Sequence, residues 1–213
     1  MTTSTDGRRA RGDASRRAIL GSAADLASVE GLDGLTIGNL ADRSGHVKSS
    51  IATLFGSKEA LQLATVATAA DVFRNSIVEP ARQLPRGVLR VATLLRGVLD
   101  YSRDRVFTGG CFFAATSADL DSKPGPVADA VREWMRTWHG YIESQLRHAV
   151  DAGELSPETD IERLGFELLA LTDAANTRSL LGDGDRPYLF AAAAIRERLQ
   201  ASGADPRHLA PLG

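Results

Sequence analysis

The strongest constraint on this chain lies between residues 36 and 55, where two short apolar stripes of helical period are separated by Ser44-Gly45-His46. Thr36 carries the hydroxyl that an N-cap needs. Ile37, Leu40 and Ala41 share one face of a helix predicted over Ile37–Arg43. Gly45 supplies the backbone freedom of a tight turn. A further short helix follows, with Val47, Ile51, Leu54 and Phe55 as its expected inward stripe. Isolated helices of this length are unstable in water, so both need bracing by neighbours. The sequence provides two. Ile19, Leu20, Ala23, Leu26 and Ala27 predict a helix over about Ser15–Glu30, ended by Gly31, and Ser57 can cap another from Lys58 to about Val78. Short helix, glycine turn, short helix is the helix-turn-helix pattern, whose second helix enters a groove of duplex DNA. Once the inward stripe is removed, Lys48, Ser49, Ser50 and Thr53 remain as polar positions for groove entry.

Charge is distributed to match. The formal net charge is only -2, so contact with a polyanion requires a local concentration of bases. Arg8, Arg9, Arg11, Arg16 and Arg17 face only Asp6 and Asp13 at the N-terminus, whereas beyond residue 60 acids outnumber bases. Residues 1–13 read as a flexible basic arm, either phosphate-binding or simply solvated, ahead of a more acidic body.

The rest of the chain continues in helical period. Aromatics make up 6% of the residues, Ala and Leu dominate, and no segment reads convincingly as a strand. Pro80 and Pro85 bracket a connection, and helices are predicted over Arg86–Arg105, Cys111–Leu120, Val127–Ala152, Ile161–Leu181 and Tyr188–Ala201. The Pro- and Gly-containing tail from Ser202 reads as frayed. The fold class is therefore all-α, about nine helices, divided into the arm (1–13), a helix-turn-helix domain (14–60), a helical body (61–202) and the tail (203–213). Trp134, Trp138 and Tyr141 fall at i, i+4 and i+7; with Phe112 and Phe113 they either line a cavity or pack as core. Thr172, Asp173 and Asn176 are polar positions in an otherwise apolar helix, suited to orienting a ligand or to bonding across a dimer interface.

Several function classes are disfavoured. Cys111 is the only cysteine, so no disulfide forms within the chain. It sits after Gly-Gly and before two phenylalanines, which suits packing better than nucleophilic work with His139 or the Asp119/Asp121 pair. No Cys-x-x-Cys or His-x-x-x-His spacing suggests a metal. No enzyme activity, metal or cofactor is expected. The N-terminal arginines are not followed by the apolar run of a secretory signal, and no stretch is long and apolar enough to span a bilayer, so a cytoplasmic protein with no membrane partner is expected.

The order Arg17-Ala-Ile-Leu-Gly-Ser-Ala-Ala-Asp-Leu, Gly31, Leu35-Thr36-Ile37, Leu40-Ala41, Ser44-Gly45 and Phe55-Gly-Ser-Lys-Glu-Ala-Leu61 resembles the head of the TetR family of bacterial transcriptional regulators over about residues 15–61. The segment Gly109–Pro126 resembles a body subtype found in actinobacterial members. The resemblance implies a TetR-like fold with an N-terminal DNA-binding head and a C-terminal effector-binding and dimerisation body. It further implies a homodimer on a palindromic double-stranded DNA operator, repressing until a small apolar or amphipathic effector releases it. By position, Lys48, Ser49 and Ser50 open the recognition helix, Thr36 and Lys58 contact phosphates, and Arg16, Arg17 and the arm before them add support. Ala52 stands where members commonly have Tyr, and Leu54 where they have His, so two usual backbone contacts are missing; Ala52 can still touch a thymine methyl. A helix-turn-helix-shaped adaptor that binds protein instead of DNA is the alternative. Phe112, Phe113, Trp134, Trp138, Tyr141 and Asn176 are the effector-site candidates. The last two long helices form the implied dimer interface, with Leu164, Leu168, Leu171, Ala175 and Ala191–Ala194 suited to close packing.

Overall fold

The computed structural model describes the backbone of residues 3–213 and the side chains of residues 12–213; the side chains of Arg8, Arg9 and Arg11 lie outside that range. The described residues form ten α-helices and no strand: α1 Thr3–Gly34, α2 Ile37–Ser44, α3 Lys48–Phe55, α4 Lys58–Phe73, α5 Glu79–Arg82, α6 Val88–Arg103, α7 Phe112–Leu120, α8 Pro126–Asp151, α9 Ile161–Arg178 and α10 Arg186–Ala201. Single π-helical turns follow α4 (Arg74–Val78) and α9 (Ser179–Asp183), and a 3-10 helix covers Pro206–Leu212. No described helix is long and apolar enough to cross a membrane. The chain divides into two compact units, one holding the residues up to Asp71 with Phe107–Val131, the other Val72–Val106 with Arg132–Gly213.

In the first unit α1 packs on α2 and α7, and α2 packs on α3. α1 begins at Thr3, well before the expected Ser15. Arg and Ala are strong helix formers, and residues added to an existing helix need no new nucleus. The helix breaks at Gly31 (φ 72°) as expected. Thr36 caps α2, its hydroxyl accepting from Asn39 N–H at 3.1 Å. Gly45 ends α2 in the left-handed conformation (φ 69°), its N–H donating to the Ala41 carbonyl at 3.1 Å. Ser57 likewise caps α4 through Ala60 N–H at 3.0 Å. The expected inward stripe of α3 needs correcting. Ile51 and Phe55 are buried, but Val47 is 66% exposed and Leu54 36% exposed. Val47 precedes the helix in extended backbone and so falls outside its period.

The Gly109–Pro126 segment is held to α1 at both ends. At the front, Thr108 N–H donates to Asp25 Oδ1 at 2.7 Å and Gly109 N–H to Ser28 Oγ at 2.9 Å. A Cβ on Gly109 would lie 1.9 Å from the Ser28 carbonyl oxygen, so no side chain fits there. At the back, Lys123 Nζ lies 2.6 Å from Asp33 Oδ2 and 2.9 Å from Asp119 Oδ1, while Asp33 N–H donates to Asp119 Oδ2 at 3.3 Å. Burial raises the Asp119 carboxyl, but the Lys123 ammonium and the N–H groups of Asp33 and Leu32 outweigh it and hold it below the usual range.

Two expectations fail in the second unit. The connection expected at Pro80 begins only after Arg82, because the π turn shifts the ladder. Glu79 N–H bonds the Arg74 carbonyl, and the widened turn accommodates the proline ring and its missing donor. The tail is not frayed. Asp205 caps the 3-10 helix through Arg207 N–H at 2.8 Å, and Leu209 and Leu212, three apart and therefore on one face, are buried where this helix packs on α6 and α10. Leu164, Leu168 and Ala175 of α9 are buried within the chain, as are Ala191, Ala192, Ile195 and Leu199 of α10. Phe166, Leu181, Leu189 and Phe190 point to solvent, 74%, 81%, 68% and 62% exposed.

Candidate nucleic-acid interface

α3 separates its residues cleanly by role. Ile51 and Phe55 anchor it from below, while Lys48, Ser49, Ser50, Ala52 and Thr53 are all exposed. The Thr53 hydroxyl donates to the Ser49 carbonyl at 2.8 Å, so toward a base edge it presents its oxygen lone pairs and methyl. The serines are small enough for the helix backbone to approach a groove floor closely.

Lys48 has a second neighbour. A Cβ built on Gly38 would lie 3.7 Å from both Lys48 Nζ and Thr36 Oγ1. The ammonium and the hydroxyl therefore both border Gly38 in the first turn of α2. The N–H groups there lack intrahelical acceptors, and Thr36 satisfies only that of Asn39. An ammonium beside a helix N-terminus and a hydroxyl is a phosphate-binding arrangement. Gly38 was not among the expected site residues; a glycine in the first turn of a helix, where no bend is needed, was the available signal.

Two expected phosphate ligands are occupied in bracing the head. Arg16 Nη1 donates to the Leu54 carbonyl at 3.3 Å, and its guanidinium lies 4.6 Å over the Phe55 ring, which ties α1 to the C-terminal end of α3. Lys58 Nζ donates to the Asp33 carbonyl at 2.8 Å, and Gln62 Nε2 to the Leu32 carbonyl at 2.5 Å. Together they fix the α1–α2 connection. Arg17 is exposed.

The aromatic candidates fall in different units. Phe112 and Phe113 are buried in the first, edge to face at 5.1 Å, with Phe107 6.1 Å from Phe112. Trp134, Trp138 and Tyr141 belong to the second, where Phe73 is the hub: its ring lies 4.8 Å from Trp134, 5.0 Å from Trp138 and 5.6 Å from Tyr101. Phe73 and Tyr101 join the cluster from distant sequence, which a search along one helix does not find. The Tyr141 hydroxyl and Gln145 Oε1, one turn apart on α8, are shielded from water without a hydrogen-bond partner. Both are polar groups enclosed beside the aromatic cluster, where an unmade hydrogen bond costs stability. Asn176 is buried, its backbone carbonyl accepting from Ser179 Oγ at 3.1 Å.

Comparison with curated protein sequences returns no match. Among solved structures, a TetR transcriptional regulator from Chloroflexus aurantiacus is similar at a TM-score of 0.79 and 24% identity, covering 87% of this chain and 93% of its own. SCO4454, a TetR-family regulator from Streptomyces coelicolor, is similar at 0.75 and 21%, covering 95% and 96%. AibR, solved in complex with isovaleryl coenzyme A and operator DNA, is similar at 0.69 and 17%, covering 85% and 96%. The tetracyclin repressor-like C-terminal domain matches residues 87–195. That match spans over half of the chain, which therefore belongs to the TetR family of transcriptional regulators.

Proposed function

We propose that this regulator is a homodimeric repressor that occupies a palindromic DNA operator and leaves it when a small molecule binds the body. The observation that carries the reading is α3, whose scaffold is buried while five small or basic side chains stand open. Ser49, Ser50, Ala52 and Thr53 read base edges. Lys48 is assigned to a phosphate, because its ammonium and the Thr36 hydroxyl both border Gly38 at the α2 N-terminus. Arg17 adds a backbone contact, whereas Arg16 and Lys58 act mainly by holding α3 and the α1–α2 connection in place.

Dimerisation is assigned to α9 and α10. Their open face, with the π turn between them, carries Phe166, Leu181, Leu189 and Phe190, and a groove of about 500 Å³ lies between Leu171, Ala174, Arg178, Arg186, Phe190 and Ala194. Four large apolar side chains in water call for cover, and a second copy offers the same face by two-fold symmetry. The body binds the effector near the Phe73 cluster, with Trp134, Trp138 and Tyr141 as its wall; Phe112 and Phe113 serve as core for the first unit. AibR, crystallised with both an acyl-coenzyme A and its operator, supports pairing the two ligands on one chain of this fold. A thousandfold release of DNA needs about 4 kcal/mol of preference for the non-DNA geometry. Such a regulator works where the chromosome is, in the cytoplasm.

The test is a gel-shift titration of the full chain with the DNA flanking its own gene, across a salt series. The account expects a discrete complex that weakens steeply with salt yet survives excess unrelated DNA. The protein-binding adaptor draws on Val47 and Leu54, apolar and open at the two ends of α3, and expects no sequence-selective complex on any DNA.

A further inference from the structure

The short helices of the head are capped unequally. α2 and α4 each begin behind a hydroxyl that accepts a backbone N–H: Thr36 Oγ1 from Asn39 at 3.1 Å, and Ser57 Oγ from Ala60 at 3.0 Å. α3 begins behind Val47, which has the extended backbone of a cap (φ -70°, ψ 140°) but makes no side-chain cap hydrogen bond. Valine is among the poorest residues for this position, because it forgoes the bond that serine or threonine would add.

Packing does not offset that loss. Val47 is the most open of the large apolar side chains described in its unit, ahead of Val29 and Leu54. The extended backbone takes it off the buried stripe of Ile51 and Phe55, so its methyls add little to the core beneath α3. Its place is nevertheless fixed. The Val47 carbonyl accepts from Ser50 N–H at 3.0 Å and from Ile51 N–H at 3.3 Å, which ties it to the leading turn of α3. The next residue is Lys48, whose ammonium borders Gly38 with the Thr36 hydroxyl and is assigned to a phosphate. An apolar side chain therefore stands in water, at a cost in capping, beside the residues assigned to DNA.

We infer that Val47 is a specificity-determining residue that reads thymine through its C5-methyl, at an operator position next to the phosphate held by Lys48. The thymine methyl is the apolar group that base edges present in the major groove, and it lies on the side of the base nearest its own strand's backbone. A side chain adjoining a phosphate-bound lysine reaches that side first. The inference rests on the proposal that α3 reads DNA. It adds an apolar, base-selective contact to the polar ones of Ser49, Ser50 and Thr53. It also accounts for the missing cap: serine at this position would hold the helix better and lose the methyl contact.

The test uses the full chain and its Val47→Ala and Val47→Ser variants. The probe is the stretch of DNA flanking the gene that the chain protects from cleavage, made as a set of duplexes with deoxyuridine replacing one thymidine at a time. Deoxyuridine pairs as thymidine does and lacks only the methyl. At one thymine per half-site the replacement should weaken binding of the unmodified chain about four-fold, as expected for one buried carbon. Both variants should bind the thymidine duplex about four-fold weaker or more, and should no longer distinguish deoxyuridine at that position. Discrimination elsewhere should persist in them, which separates this thymine from any met by Ala52. Without DNA, Val47→Ser should melt about 2 °C higher than the unmodified chain, because serine supplies the missing cap. A valine kept for packing predicts the opposite, a lower melting temperature and equal losses on flanking and unrelated duplex, and that result would overturn the inference. A selective complex that tolerates deoxyuridine everywhere, or variants that keep the full discrimination, would overturn it while leaving α3 as the DNA reader. A chain that forms no selective complex on the flanking DNA would overturn both.

Discussion

α3 and the open face of α9 and α10 both leave side chains in water, but of opposite kinds. α3 shows Lys48, Ser49, Ser50, Ala52 and Thr53, small or charged groups that lose little by staying solvated. The α9 and α10 face shows Phe166, Leu181, Leu189 and Phe190, whose exposure costs free energy until a partner covers them. The first surface suits a hydrated polyanion, with affinity set by salt and selectivity by a few base-edge contacts. The second suits permanent burial against a surface of its own kind. The contrast therefore predicts different failures when each is mutated.

The largest effect is expected at the apolar face. Replacing Leu181 and Phe190 together by Asp puts unpaired charges into the assigned dimer interface, and about 4 kcal/mol or more of association should be lost. Sedimentation should show monomers at concentrations where the unmodified chain is dimeric, with operator affinity falling in parallel. A variant that still sediments as a dimer would remove α9 and α10 from the interface. Next come the base readers. Ser49→Ala and Ser50→Ala should each shift preference at one or two operator positions by about 1–3 kcal/mol, measured by competition among single-base operator variants. Thr36→Ala should cost about 1 kcal/mol of stability through the lost cap, visible as a lower denaturation midpoint, and should weaken DNA binding uniformly across sequences.

The smallest effect concerns pH and links the two kinds of chemistry. Asp173 lies on the same side of α9 as Phe166, Ala170 and Ala174, all exposed. Although its side chain reaches the surface, partial removal from water pushes its carboxyl up to about 6 from 3.8. A carboxyl raised on folding stabilises the folded form while protonated. Its contribution is complete below pH 3.8 and is lost as pH rises through about 6. The melting temperature should therefore fall slightly over that window relative to Asp173→Asn. If the apolar face is the dimer interface, the same substitution should tighten the dimer at pH 7.

Much of the head was legible in the sequence because its signals are local. The Thr36 cap, the Gly45 turn and the burial of Ile51 and Phe55 each depend on residues within a few positions. Val47 departs from the expected inward stripe because its spacing from Ile51 extends the helical period onto the cap residue, whose backbone is extended. The tail was misread because Leu209 and Leu212 are only two apolar residues, and their burial depends on α6 and α10, far back in the chain. Site chemistry was less legible than site position. That Arg16 and Lys58 spend their hydrogen bonds on Leu54 and Asp33 depends on contacts 38 and 25 residues away. The Phe73 hub likewise joins segments that no periodicity connects. The distinctive Gly109–Pro126 segment has a structural explanation: Gly109 is required by the approach to Ser28, and Asp119 and Lys123 hold the α1–α2 connection from the other end.

The central claim, that α3 is a DNA-reading surface with Lys48 on a phosphate and the serines on bases, is tested most directly by binding isotherms over a salt series. The unmodified chain and its Lys48→Ala, Ser49→Ala double variant are titrated against the DNA flanking the gene and against unrelated duplex. The account predicts a salt slope reduced by about one in the double variant. It also predicts affinity for the flanking DNA at least ten-fold weaker, with a smaller advantage over unrelated duplex. A double variant that binds the flanking DNA with unchanged affinity and unchanged slope would contradict it.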